Sequence, residues 1–439
     1  MFRWKRVREH RWLPLNVIPC RRVLLAALLI LVGWAGIFVL GCVAQAGTFD
    51  LKKDLAAVTR DYRFDLTRYT VTAVIAKIEA LGRRAGTRLT PEEQRRLVEQ
   101  YQARAMEISR LEDAIQRLYA DPTVTNPETA AAALQDRLAQ VRVLHATTRP
   151  VVEAILERQM AATLAELDLT TAGLVFPPVR FDFSSPPNYL IVSPRDRIEL
   201  EASLYLQPDL DLSVITALEN EIADRFNRSV LIEGLGGIGA WPTVVLDRAD
   251  LAWILETIAH EWVHNYLIFY PLGRAMFSDP RMNTINETVA TIVGQEVGRR
   301  LAHDVYGIPY PAPAPLPDLN RPLPPPDPNR FDFNIEMRRT RLRVDELLAA
   351  GRIEEAEAYM EERRRLFVAH GYPLRKLNQA YFAFHGSYAT GAAATDPIGP
   401  KLQELRRRTP DLATFLRLVR GIRQPEDLDR LLAEWQDRR

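Results

Sequence analysis

The chain has 439 residues, 47% of them apolar and 26% charged, with a formal net charge of +1 at pH 7. That length exceeds one small core and fits two or three folded units, while the near-zero net charge excludes a nucleic-acid binder, which needs an excess of positive field to collect phosphates. The only cysteines are Cys20 and Cys42, so the rest of the chain holds neither an internal disulfide nor a Cys-based zinc knuckle, and a metal site must draw on His, Asp and Glu.

Residues 1–22 carry Arg3, Lys5, Arg6, Arg8, Arg11, Arg21 and Arg22 against a single acid, Glu9, and read as a basic cytoplasmic segment. Residues 23–43, VLLAALLILVGWAGIFVLGCV, carry no charge. As a helix they rise about 31 Å, enough to cross a bilayer core, and predict a single transmembrane helix. The charge bias then puts everything after residue 50 on the extracytoplasmic side of the cell membrane, held by one pass. Two processed forms are the alternatives. Ala44-Gln45-Ala46 before Gly47 resembles a signal-peptidase site, and Val39-Leu40-Gly41-Cys42 is an imperfect lipobox that would lipidate Cys42.

Residues 49–175 have the pattern of a helical stalk or bundle. Thr90-Pro91-Glu92-Glu93 is a helix start, with an N-cap Thr, Pro at the first helical position and a capping-box Glu. After it Leu97, Tyr101, Ile108, Leu111, Ile115 and Leu118 form a near-heptad stripe, which would serve either self-association through residues 90–120 or packing on a neighbouring helix. Asn126-Pro127-Glu128 opens another helix and Arg149-Pro150 a further one. Residues 176–188, FPPVRFDFSSPPN, read as a linker on their prolines.

The pattern changes after the linker. Tyr189–Val192, Arg197–Leu206, Ser229–Glu233 and Thr243–Leu246 read as strands, and Leu212–Phe226 as an amphipathic helix. The glycine-rich run Gly234–Ala240 fits either a strand edge, since glycine allows close backbone approach, or a plain turn. Asp250–Ile268 and Thr284–Val305 are apolar-rich helices. Residues 308–330 are proline-dense and predict a stiff extended connector. Residues 331–439 are helical again, with breaks near Gly351, Gly371, Gly391–Gly399 and Pro410. The expected fold is therefore helix-dominated α+β. It comprises the transmembrane helix, a helical stalk or bundle (49–175), a small sheet with active-site helices (189–307), the connector and a C-terminal helical domain.

The chemistry concentrates in His260-Glu261-Trp262-Val263-His264, inside the helix Asp250–Ile268. Positions i and i+4 share one helix face, so both imidazoles reach a single ion. Glu261 is turned by about 100° from His260, where it can meet a water on that ion. Two histidines and a glutamate inside an apolar helix are expensive to desolvate unless a metal compensates them. A catalytic zinc needs a third protein ligand and an open position. Glu287, in the first turns of the next helix, supplies the ligand if the two helices pack antiparallel. His303, the rival, lies 16 positions further on, about 24 Å along the helix. The implied metal set is one Zn2+ on His260, His264 and Glu287.

HExxH followed by Asn286-Glu287-Thr288-Val289-Ala290 on the next helix resembles the gluzincin superfamily of zinc metallopeptidases, the thermolysin-like and aminopeptidase-like enzymes. The resemblance covers roughly residues 189–305. It implies a small sheet above an active-site helix, zinc on His260, His264 and Glu287, Glu261 as general base, and a peptide or protein substrate. Thermolysin-like enzymes carry an Asp one turn after the zinc Glu, which orients a zinc histidine. Thr291 stands there in this chain, so another side chain must do that work. The Gly-x-Met-Glu-Asn signature of aminopeptidases is absent. For the donor to the tetrahedral intermediate the best stretch is 377–388, with His385 and Tyr388 as candidates and Tyr306 and Tyr310 behind them. The alternative is a membrane-tethered regulatory protein that keeps the zinc and lacks turnover.

Overall fold

The structure, a computed structural model, describes residues 49–81, 89–121, 123–276, 279–309, 331–386 and 397–436. The basic segment, the expected transmembrane helix 23–43 and residues 310–330 of the connector lie outside them. Among the described residues no helix is long and apolar enough to cross a membrane. The expected dominance of helix stands, with fourteen α-helices among the described residues, which also hold two three-stranded sheets in place of the one small sheet expected.

The chain enters through α1 (Phe49–Val58) and α2 (Leu66–Leu81). Helix α3 (Pro91–Ala120) starts on the predicted capping box, Thr90 accepting from the Glu93 amide while the Glu93 carboxylate accepts from the Thr90 amide at 2.7 Å. Helix α4 (Pro127–Glu166) returns against it. The expectation of a helix beginning at Arg149-Pro150 is corrected, because α4 runs straight through Pro150. Proline removes one backbone donor from a helix. Here that cost falls on the single carbonyl of Ala146, while Val152, Ile155 and Leu156 beyond the proline are buried in the main core and carry the helix on. The base of this hairpin, with Val98, Tyr101, Val152 and Ile155, belongs to the main core, while Ile108, Leu138 and Val141 make a small core of their own further out.

Residues 176–188 are more than a linker. They contain β1 (Phe181–Phe183), which pairs in parallel with β6 (Thr243–Val245). The strand escapes a sequence reading because it is three residues long and its outer edge is paired by side chains. Glu153 accepts from the Phe183 amide at 2.9 Å, Glu157 from the Phe181 amide at 3.2 Å, and Arg149 donates to Phe183 O at 3.0 Å. Glutamates one helical turn apart thus match amides two residues apart on a strand. Lys77 of α2 closes the cluster, 2.7 Å from Glu153 and 3.0 Å from Glu157.

The second sheet has β2 (Asn188–Ser193) between β3 (Ala202–Leu206) and β4 (Ser229–Gly234), all antiparallel. Alternate residues face opposite sides. Leu190, Val192, Val230 and Ile232 pack towards α1 and α5 (Leu212–Phe226). Ile191 and Leu231 pack towards α9 (Phe333–Ala349), α10 (Ile353–Ala369) and α11 (Gln379–His385). Cover on both faces explains the unbroken apolar runs of these strands.

Helix α6 (Leu251–Leu267) is capped by Asp250, which accepts from the Trp253 amide at 2.9 Å. A short α7 (Pro271–Ala275) turns the chain, and α8 (Pro280–Tyr306) follows on an Asp279 cap and ends at Gly307 with φ of +67°. Helices α6 and α8 form the centre of the main core, together with α4 and with α12 (Ile398–Arg408), α13 (Leu412–Val419) and α14 (Glu426–Gln436).

Candidate metal centre

Helices α6 and α8 run antiparallel in a register fixed by two glycines. A methyl group on Gly298 would lie 2.4 Å from the Glu256 backbone nitrogen, and one on Gly294 would lie 2.9 Å from the backbone nitrogen, Cα and Cβ of His260. Glycine in a helix interior costs about 1 kcal/mol relative to alanine. Its return here is close backbone approach, which brings the start of α8 under the second histidine.

That approach assembles the expected trio. His260 Nε2 and His264 Nε2 are 3.0 Å apart, and Glu287 Oε2 is 3.5 Å from the first and 3.6 Å from the second. His303 is exposed and sits beside Asp304. Glu287 Oε2 is buried and without a hydrogen-bond partner. An ion bonded at 2.0–2.1 Å in tetrahedral geometry spaces its ligand atoms about 3.3 Å apart, close to all three separations. The donor set of two imidazoles and a carboxylate with a buried unsatisfied oxygen therefore fits a zinc ion, and among the described residues it is the group of His, Cys, Asp and Glu side chains able to hold a metal.

The orienting partner missing at position 291 is found one residue before the ligand. Asn286 is fully buried, and its Oδ1 accepts from His264 Nδ1 at 2.7 Å. This leaves His264 Nε2 facing the trio. Thr291 instead turns its hydroxyl back to Glu287 O at 2.8 Å. Asn286 belongs to the NExxA string, but its role depends on the register of α6 against α8, which brings it to His264.

The titration of the site follows from its burial. Burial alone would lower the His264 imidazole, but the Glu287 carboxylate outweighs it and raises the group to about 9. Burial would likewise raise Glu287, and His264 with His260 hold it well below the usual carboxylate range. Glu261 goes the other way. Burial raises it, the two imidazoles offset this in part, and Glu287 adds to the rise.

The glycine-rich run resolves into β5 (Gly237–Ile238), the edge strand of the sheet ordered β1-β6-β5. It lies directly on α6. A methyl on Gly237 would be 2.9 Å from Glu261 Oε1 and 3.1 Å from Thr257 Cγ2, and one on Gly239 would be 3.3 Å from both Glu261 Oε2 and His264 Cβ. Ile238 pairs with Val244, and the Leu246 amide donates to Gly236 O at 3.0 Å. Antiparallel strands turn successive residues to alternate sides, so Gly237 turns its N–H and C=O away from β6.

The candidate donors fare differently. His385 ends α11 with Nε2 at 2.9 Å from Glu233 Oε2, its ring against Tyr381 and Phe384. Its partners are thus outside the trio. Tyr306 is buried and donates to Gln159 Oε1 at 2.6 Å. Tyr388 and Tyr310 lie outside the described residues. No protein-family model matches the chain, no curated protein matches its sequence and no solved structure matches its fold.

Proposed function

We propose that the chain is a membrane-anchored, zinc-dependent peptidase of the gluzincin type, hydrolysing peptide bonds with Glu261 as general base. One observation carries this reading. The ligand atoms of His260, His264 and Glu287 converge at 3.0–3.6 Å, and Glu261, 7% exposed, lies between them and the edge of β5. A zinc ion bound there would polarise a carbonyl and bring the pKa of a water to about 7. The Glu261 carboxylate takes the proton from the attacking water and returns it to the leaving amine, a transfer suited by a carboxyl whose pKa burial has raised. Gly237, with its N–H and C=O turned outward, offers an extended peptide the pairing of an added strand. Asn286 holds the His264 ring in its ligating tautomer. The tether and the extracytoplasmic location rest on the sequence of residues 1–43.

The test is elemental analysis and peptide cleavage on the full chain in detergent. One zinc per chain is expected in the parent and in Glu261→Gln, with the metal lost in His264→Ala. Cleavage of a broad peptide library is expected from the parent, with Glu261→Gln slower by at least about 100-fold. Equal zinc in parent and His264→Ala would end the metal assignment. Zinc without any cleavage would end the peptidase reading in favour of a zinc-holding regulatory protein.

A further inference from the structure

One buried amide beside the trio has no part in the chemistry above. Asn265 follows His264 in α6 and is 2% exposed. Its Nδ2 donates to Ala240 O at 3.0 Å and to Thr243 Oγ1 at 3.1 Å, and the Thr243 hydroxyl donates to Ala240 O at 3.2 Å. A carbonyl only accepts, so the amide nitrogen must face Ala240 and the orientation of the side chain is settled. That leaves Asn265 Oδ1 buried without a hydrogen-bond partner. An unsatisfied buried acceptor is costly, and a leucine of similar shape would avoid it. Packing alone therefore gives no reason for an amide at this position.

What the amide does is tie two points of one turn to α6. Ala240 comes two residues after the end of β5, and Thr243 is the first residue of β6. Both are held to the helical turn that carries His264. The glycines act from the other side. Because Gly237 and Gly239 lack side chains, only van der Waals contact with Glu261 and His264 limits how near the strand can come. The glycines permit the approach and Asn265 holds the strand at it.

We infer that Asn265 is a positioning residue, which fixes the height of the β5 edge above Glu261 and so determines how an extended peptide is held across the site. The inference rests on the peptidase reading for its consequence, though not for its geometry. Asn265 touches no reacting atom. Losing its two hydrogen bonds frees the end of β5, and the loss falls on substrates long enough to pair along that strand.

The experiment uses the zinc-loaded full chain and the Asn265→Leu variant, with an internally quenched octapeptide and a dipeptide amide sharing its scissile pair. The KM for the octapeptide is expected to rise roughly 10-fold, as the two hydrogen bonds that tie the β5–β6 turn to α6 are lost. Its kcat should stay within about 3-fold, and the kcat/KM of the dipeptide amide within about 2-fold. Amide hydrogen exchange without substrate should show residues 237–240 exchanging at least about 10-fold faster, while the amides of α6 keep their protection. Equal losses on both substrates, or unchanged KM with unchanged exchange, would overturn the inference. Should Asn265→Leu fail to fold, Thr243→Val removes one of the two acceptors and must show the same pattern at smaller size. If the parent cleaves neither peptide, the peptidase reading fails by itself and the exchange result alone decides the role of Asn265.

Discussion

Gly294→Ala perturbs the candidate metal centre without replacing any of its three ligand side chains. The added methyl would lie 2.9 Å from three backbone and side-chain atoms of His260. Non-bonded carbons settle at about 3.5–4.0 Å, so α6 and α8 must part by about 0.6–1 Å. Glu287 lies two turns away on the same helix and moves with it. A site of this kind tolerates displacements of about 0.5 Å, so zinc affinity should fall about 10- to 100-fold, as it does on loss of an orienting partner. Overpacking should also lower the stability of the metal-free protein by about 1–3 kcal/mol. Gly298→Ala is the comparison. Its methyl meets Glu256 at 2.4–2.5 Å, a harder clash, but it lies about 16 Å along α8 from Glu287. It should cost more stability than Gly294→Ala and less zinc affinity. Urea unfolding of the metal-free variants and competition with a chromophoric chelator measure the two quantities. If Gly294→Ala bound zinc as tightly as the parent, or Gly298→Ala weakened it more, the helix contact would not set the site.

Asn286→Ala should weaken zinc binding by about 10- to 100-fold in the same chelator assay, while Asn286→Asp, which keeps the acceptor at His264 Nδ1, should keep most of the affinity. The Glu153 cluster predicts a pH effect away from the site. Burial raises Glu153 to about 7, Lys77 opposing and Asp182 adding to the rise. Between the unfolded value near 4.5 and about 7 the unfolded chain has released this proton and the folded chain still holds it. Stability therefore falls as pH rises through that window. The loss by pH 8 should approach about 3 kcal/mol relative to Glu153→Gln, whose amide oxygen can still accept from Phe183. Parallel stability curves for the two proteins from pH 4 to 8 would remove the claim.

The features legible in the sequence were those with local causes. The Thr90 capping box, the bounds of Leu212–Phe226 and the helix holding His260 and His264 each follow from residues within a turn or two of one another. The convergence of Glu287 on those imidazoles was also readable, on the condition that the two apolar helices pack antiparallel, which they do across the short α7. Features set by distant partners were not. Strand β1 has its edge paired by glutamates 24 to 30 residues earlier. Pro150 reads as a helix start in the sequence, yet the helix runs on through it, held by packing of Val152, Ile155 and Leu156 in the main core. Gly294 and Gly298 did leave a signal. Two glycines one turn apart inside an apolar helix are costly unless another backbone lies against them. Asn265 left none, since its two partners are 22 and 25 residues away across a turn whose path the sequence does not define.

The charge of the site argues for the ion independently of the spacing. Glu261 and Glu287 are both carboxylates, and two neutral imidazoles leave a buried formal charge of −2. Such a charge is not sustained in a low-dielectric interior. Without an ion the surroundings favour protons as the compensation, the Glu287 carboxylate raising His264 to about 9 against burial, and burial raising Glu261. A dication cancels the same charge and needs both imidazoles neutral, so its binding must expel protons. Calorimetric titration of zinc into metal-free protein at pH 7, repeated in buffers of different ionisation enthalpy, should show protons released on binding, with His264 giving up about one per ion. Binding with no proton release would mean that both imidazoles already stand neutral beside two carboxylates, and burial would then no longer explain why this helix carries two histidines and a glutamate.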